Sequence, residues 1–308
     1  MGIPKTGASL LYELRGTRPL GSSVLQLGKQ SLYVEADQIP GIAAQHGFDV
    51  HVDDVLRDEN GEYIEETYND VTFFKKLGFT TVHSLDYSDY EGADIVHDLN
   101  NPVPEYLHDQ YDFIYDGGTL EHVFDFPQSL RNVHDLLKVG GVVAHAAPSH
   151  NHVDHGFYMY SPTVFWDYYN ANLYKVLKSY IYEYETEHTA YTGTPWKVYE
   201  YSPAAIEHLV AGGWGRKRLG IWFVAEKTEK SRCDVIPQQG AYRNTWAETP
   251  SYDPYANYRN RSGPSPLLRQ RVKAIPVLGS IISVVFRGYR WLVRNHLPQS
   301  RPPTIGDY

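Results

Sequence analysis

Apolar positions along residues 21–230 fall into short runs and helical stripes by turns, and polar or glycine-rich breaks separate them. Ser23-Val24-Leu25-Gln26-Leu27 is an apolar run ended by Gly28, the pattern of a buried strand that turns sharply. Residues 68–77 repeat apolar side chains at helical spacing and stop at Gly78; Thr80–Leu85 then reads as a second strand ending on Asp86. Residues 94–98 give a third strand and 111–116 a fourth. An amphipathic helix is predicted over 127–137, closed by Lys138-Val139-Gly140-Gly141, and 142–147 is the fifth strand. Ser161-Pro162 starts a helix that runs to about Asn172, with serine as cap and proline in the first turn. Residues 174–184 and 220–227 are two further strands, with a helix opened by Ser202-Pro203 between them.

Strands alternating with helices predict a mostly parallel, doubly wound α/β sheet covered on both faces. Ligands of such sheets lie beyond the carboxyl ends of the strands. Here those ends carry Gly28, Asp86, Asp98, Asp116-Gly117-Gly118 and Pro148-Ser149-His150. No Gly-x-Gly-x-x-Gly follows the first strand, so a nicotinamide dinucleotide, whose pyrophosphate needs that close backbone approach, is not expected.

In this order the segments resemble the class I S-adenosylmethionine-dependent methyltransferases, from about residue 21 to residue 227. Val24-Leu25-Gln26-Leu27-Gly28 is similar to the family's first motif, and Asp86 stands where the family carries an acidic residue for the ribose hydroxyls. Asp98-Leu99 falls where the adenine is held. The strongest likeness is the pair Gly118-Thr119-Leu120-Glu121-His122-Val123, after Tyr111–Asp116, and Leu136-Leu137-Lys138-Val139-Gly140-Gly141. The resemblance implies a seven-stranded Rossmann-like sheet, S-adenosylmethionine as cofactor and S-adenosylhomocysteine as product. Gln26, Gly28, Asp86, Asp98, Leu99, Asp116 and Gly117 are its implied cofactor residues. The chain departs from the pattern where Gly28 is followed by Lys29-Gln30-Ser31-Leu32 rather than more glycines, and where 58 positions separate Gly28 from Asp86. Residues 36–67 therefore read as an insertion, a lid or a dimer element.

Methyl transfer needs alignment, a dry pocket and, for a hydroxyl, a base. Ser149-His150-Asn151-His152-Val153-Asp154-His155 follows the fifth strand with three histidines, and a histidine can take a proton near neutrality. The run on to His155-Gly156-Phe157-Tyr158 resembles methyltransferases of bacterial glycan and natural-product clusters. His155 is the first candidate base, with His150 and His122 behind it; a loop-holding role for His155 stands beside that reading. Glu121 and His122 with Asp154 or His150 are donors that a divalent ion could take; a Glu121 that caps the following helix is at least as strong a reading, and a metal is not favoured. Residues 185–201 mix carboxylates, His188, Tyr191, Trp196 and Tyr199, a composition suited to a sugar or another polyhydroxylated acceptor, and equally to a packed loop.

Charge narrows the acceptor. Residues 259–301 hold nine Arg or Lys and no carboxylate, which leaves 19 basic against 36 acidic residues in 1–258, a net of −17. Such a body repels polyphosphates, so nucleic acid is not expected as substrate, and a small or carrier-bound molecule is. The expected activity is O-methylation of a sugar, glycan or secondary-metabolite hydroxyl; the alternatives are N-methylation of a small amine, or an inactive methyltransferase-like scaffold. The single Cys233 offers no disulfide, and the apolar stretch at 7–11 is cut short by Glu13 and Arg15, so a cytoplasmic setting is expected. Residues 1–20 read as an N-terminal segment, 21–230 as the catalytic domain, 231–265 as a linker and 266–308 as a basic extension. Within the extension an amphipathic helix from Pro276 sets arginines on one face; residues 274–286 are too short to span a bilayer. Docking on protein, self-association through 266–297, or a peripheral contact with anionic lipid are its readings.

Overall fold

The computed structural model describes residues 2–52, 57–61, 64, 68–184, 196–203, 205–206, 209, 213–240 and 304–307. The chain divides into two units, one of Met1–Glu200, Arg216–Pro237 and Thr304–Tyr308, the other of Tyr201–Gly215 and Gln238–Pro303. All strands and helices named below belong to the first.

The sheet grows outward from β2 (Ser23–Leu27), whose five residues are all buried. β4 (Thr81–Asp86) lies parallel on one side of it, followed by β5 (Ile95–Val96); β6 (Tyr111–Asp116) and then β7 (Leu137–Pro148) lie parallel on the other. β10 (Arg218–Glu226) runs antiparallel to β7 and is flanked antiparallel by β8 (Lys175–Tyr184), with β9 (Lys197–Glu200) and β11 (Thr304–Asp307) beyond. The order is β11-β9-β8-β10-β7-β6-β2-β4-β5. The seven strands from β8 to β5 are consistent with a Rossmann-like methyltransferase sheet, with β10 inserted antiparallel between β7 and β8. The expectation of seven mostly parallel strands is corrected: among the described residues the sheet has nine, and four of its eight pairings are antiparallel. β9 and β11 extend the antiparallel edge because β8 offers a row of backbone groups that needs a partner.

Two apolar layers cover the faces. One gathers Leu10, Leu11, Tyr12, Phe73, Phe74, Phe113, Tyr115, Trp222 and Val224; the other Leu25, Leu85, Ile114, Leu130, Val133, Phe165, Tyr169 and Phe223. Helix α4 (Phe126–Leu136) buries Phe126, Ser129, Leu130, Val133 and Leu136, a stripe at helical spacing; the Asp125 side chain accepts from Gln128 N at 3.0 Å and Pro127 sits in the first turn. Helix α3 (Asp70–Lys76) is capped by Asn69 and ends where Gly78 takes φ +105°, as a helix stop requires. Helix α5 (Pro162–Ala171) buries Phe165, Tyr168 and Tyr169.

The N-terminal segment is built into this body. β1 (Gly2–Ile3) pairs in parallel with β3 (Ser31–Leu32), and helix α1 (Lys5–Thr17) buries Leu10, Leu11, Tyr12 and Leu14 in the first layer. Of the insertion at 36–67, helix α2 (Ile39–Gln45) packs Ile39, Ile42 and Ala43 into the same layer. The helix expected at Ser202 falls partly, and the basic C-terminal helix wholly, outside the described residues. Among those described, no helix is long and apolar enough to cross a membrane.

Candidate functional site

Three neighbouring strand ends make the centre of the site. Leu27 of β2 pairs with Leu85 of β4 and with Asp116 of β6, so Gly28, Asp86 and Gly117 follow one another across the carboxyl edge. Gly28 turns the chain at φ +71° and donates its N–H to Leu85 O at 2.7 Å. The Asp86 carboxylate accepts one backbone N–H on each oxygen, from Lys29 at 3.0 Å and from Tyr87 at 2.6 Å. Each oxygen keeps a second lone pair, enough for two vicinal hydroxyls.

The other sequence candidates for cofactor contact divide. Asp98 lies in an exposed turn beyond β5, where Asn100 N at 2.9 Å and Nδ2 at 2.7 Å donate to one oxygen and Asn101 Nδ2 at 3.2 Å to the other. The Asn100 backbone and side-chain bonds hold its carboxyl below the ordinary value. Leu99 beside it is buried, its carbonyl accepting from Asn132 Nδ2 at 3.0 Å. Gln26 is buried inside β2, with its amide donating to Asp70 Oδ2 at 2.7 Å, and Lys29 Nζ meets the same oxygen at 3.0 Å. Asp116 turns its carboxylate into the core: Oδ2 lies 2.8 Å from His145 Nδ1, and Oδ1 accepts from Thr119 N at 2.9 Å. Gln26 and Asp116 thus hold the scaffold with their side chains.

Gln30, which the sequence did not single out, bridges this edge to a cavity. Its amide donates to Leu27 O at 2.8 Å and Gly28 O at 3.2 Å, and its buried Oε1 lies where a Cβ on residue 117 would be only 2.2 Å away. Gly117 is required there. It also lines a cavity of about 260 Å³ walled by Tyr33, Tyr115, Tyr182, Tyr184, Trp196 and Trp222 and closed by Gly2, Pro4, Gly7 and Leu10 of the N-terminal segment. Trp196 stacks on Tyr182 and Tyr184 at centroid distances of 4.4 and 4.8 Å. Tyr180, Tyr182 and Tyr184 alternate along β8, a period-two signal legible in the sequence.

The polar end of the cavity is made by Glu121, His152 and His155. Glu121 is 1% exposed, and its Oε2 has no hydrogen-bond partner among the described residues. Its Oε1 lies 3.4 Å from His155 Nε2 and 3.9 Å from His122 Nε2, both rings being half-exposed. Burial, opposed by the Glu121 charge and helped by His155, lowers the His122 pKa. His152 is buried, Nε2 3.1 Å from the Tyr184 hydroxyl, and burial brings its pKa down to about 4, with the neighbouring charge of His155 adding to the fall. It is neutral at pH 7. The loop that carries these histidines is clasped to the turn after β6, because Glu121 O accepts from Phe157 N at 2.8 Å and Tyr158 N at 3.2 Å. Gly156 permits the approach: a Cβ there would stand 2.9 Å from Glu121 O and 3.2 Å from His122 Nδ1. His150 and Asp154, both exposed, stand outside the Glu121, His122 and His155 cluster; Asp154 takes φ +68°.

No family model matches the chain, and no curated protein matches it in sequence. Its fold is similar to solved structures of S-adenosylmethionine-dependent methyltransferases. One is the 1,6-didemethyltoxoflavin-N1-methyltransferase of Burkholderia thailandensis, crystallised with 1,6-didemethyltoxoflavin and S-adenosylhomocysteine, at 12% identity and a TM-score of 0.37 over 73% of this chain and 80% of that one. Another is a SAM-dependent methyltransferase of Archaeoglobus fulgidus, at 12% identity and 0.37 over 72% and 95%. The MccD protein is similar at 12% and 0.35 over 72% and 97%.

Proposed function

We propose that this chain is an S-adenosylmethionine-dependent methyltransferase that methylates a hydroxyl on a small ring-bearing acceptor, such as a sugar or secondary metabolite, free or carrier-bound. The observation that carries this is the junction at Gly117: a strand-end edge with a glycine turn and a carboxylate holding spare lone pairs opens, one residue away, on an aromatic cavity with histidines at its mouth.

The residues fit the cofactor. Asp86 would take the ribose hydroxyls, the Gly28 turn would let the backbone approach the amino-acid portion, and Leu99 would pack near the base. When bound, the cofactor supplies a methyl carbon on a sulfonium, which a nucleophile takes in line as the carbon–sulfur bond breaks. The aromatic walls exclude water and hold a ring by its apolar faces. Tyr184, bonded to a neutral His152, presents oxygen lone pairs to a donor on the acceptor. His155 is oriented by Glu121 and, in the metal-free protein, takes the proton that the attacking hydroxyl loses. An acceptor bearing phosphate would meet the buried Glu121 carboxylate and be rejected.

Calorimetry with S-adenosylmethionine and S-adenosylhomocysteine tests the first half, and saturable binding of both is expected. No heat with either ligand at millimolar concentration would leave only the scaffold reading. With labelled cofactor, a panel of sugars, phenols and amines should yield an O-methyl product; an N-methyl product alone would move the acceptor class to amines.

A further inference from the structure

We infer that Glu121, His122 and His155 form a site for a first-row divalent transition-metal ion at the mouth of the acceptor cavity. Each offers one ligand atom, and the three atoms lie within 4.8 Å of one another. The Glu121 Oε1 separations of 3.4 and 3.9 Å from the two imidazole nitrogens are near the roughly 3.3 Å between ligands that share a tetrahedral ion at about 2.0–2.1 Å. A second, independent observation points to a ligand. Glu121 is 1% exposed and lines the cavity, yet among the described residues its Oε2 has no partner. A buried carboxylate oxygen left so is costly, and an ion removes the cost.

The cluster is also held in advance. Its ligands come from two segments, joined by the Phe157 and Tyr158 N–H bonds to Glu121 O and by the close passage of Gly156. Two imidazoles and one carboxylate favour zinc, manganese or iron over magnesium and calcium, which prefer oxygen ligands throughout. Three protein ligands leave a position open. Because Glu121 and His155 border the cavity, that position faces the acceptor.

For its chemistry the inference rests on the methyltransferase reading: an acceptor hydroxyl bound to the ion loses its proton to water more readily, and His155 then serves as ligand rather than base. The site itself does not depend on that reading. Full-length protein stripped with chelator is titrated with Co²⁺, followed by its visible absorption, and with Zn²⁺ by calorimetry. One equivalent should bind saturably. Glu121→Gln, His122→Ala and His155→Ala should each weaken it tenfold or more, whereas His51→Ala, at an exposed histidine beside Asp49, should leave it unchanged. Far-ultraviolet circular dichroism shows whether each variant is folded. Absence of saturable binding to the unmodified protein, or binding that no folded cluster variant weakens, overturns the site. Metal binding without any S-adenosylhomocysteine heat would sink the methyltransferase reading alone; the converse would sink only the metal site.

Discussion

Asp86 and Asp98 both stand at strand ends, but their surroundings differ. Asp86 spends one lone pair of each oxygen on a backbone N–H, whereas both oxygens of Asp98 are tied to the side chains and backbone of its own turn. Asp86→Ala should therefore weaken S-adenosylhomocysteine binding by about 2 kcal/mol, roughly thirtyfold, and Asp98→Asn by clearly less, both read by calorimetry. An equal loss from the two would contradict the assignment of the ribose to Asp86. For the transfer step, His155→Ala should lower kcat by about 10²–10⁴-fold with little change in cofactor affinity, while Asp154→Ala leaves kcat near its original value. Strand-end residues were legible because a strand's end follows from its pattern. The direction of a side chain was not: Gln26 and Asp116 are committed to Asp70 and His145, partners 44 and 29 positions away that no local spacing announces. The same holds for Gln30 and for the burial of His152.

The extents of α4 and α5 were readable to within a residue or two, but their caps were not: Asp125 rather than Glu121 caps α4, and the Ser161 side chain makes no capping bond to α5. α1 was missed for a physical reason: Pro4 offers no capping side chain, and Thr6, Gly7 and Ser9 are buried with the leucines, so no polar stripe marks a face. β9 is short and lies in an aromatic and carboxylate mixture that reads as loop. The end of α4 depends on a residue far along the chain. Lys227, on leaving β10, sends its buried ammonium to His134 O at 2.8 Å, Leu137 O at 2.6 Å and Asp109 Oδ1 at 2.8 Å. It closes the helix terminus where the sequence shows only a glycine turn. Lys227→Met should cost about 2–3 kcal/mol in denaturant unfolding by leaving those carbonyls unpaired. A cost below about 0.5 kcal/mol would mean that water replaces the lysine.

At the scale of the whole molecule, the parallel part of the sheet was implied by the alternation of elements, but the N-terminal segment's place was not. The pairing of β1 with β3, the Gly2 N–H bond to Gly117 O and the burial of Leu10 and Leu11 of α1 in the core help to hold it over the cavity. His152 lines the same cavity, buried against Tyr184 of β8 and His155 of its own loop, and its burial ties stability to pH. Burial lowers the His152 pKa to about 4 from the ordinary 6.5, and burial is the leading cause of lowered values at His46, His122 and His134 as well. Between about pH 6.5 and 4 the unfolded chain binds protons that the folded chain refuses, so the stabilisation from these neutral rings is complete above pH 6.5 and is lost as pH falls through that window. Unfolding free energies measured in urea at pH 7.5 and 5.0 should differ in that direction. His152→Gln, which keeps a side chain able to bond Tyr184 and removes the titration, should narrow the difference. A gap of the same size in the variant would show that the acid sensitivity arises at other histidines or at the paired carboxylates, and that the closed cavity contributes none of it.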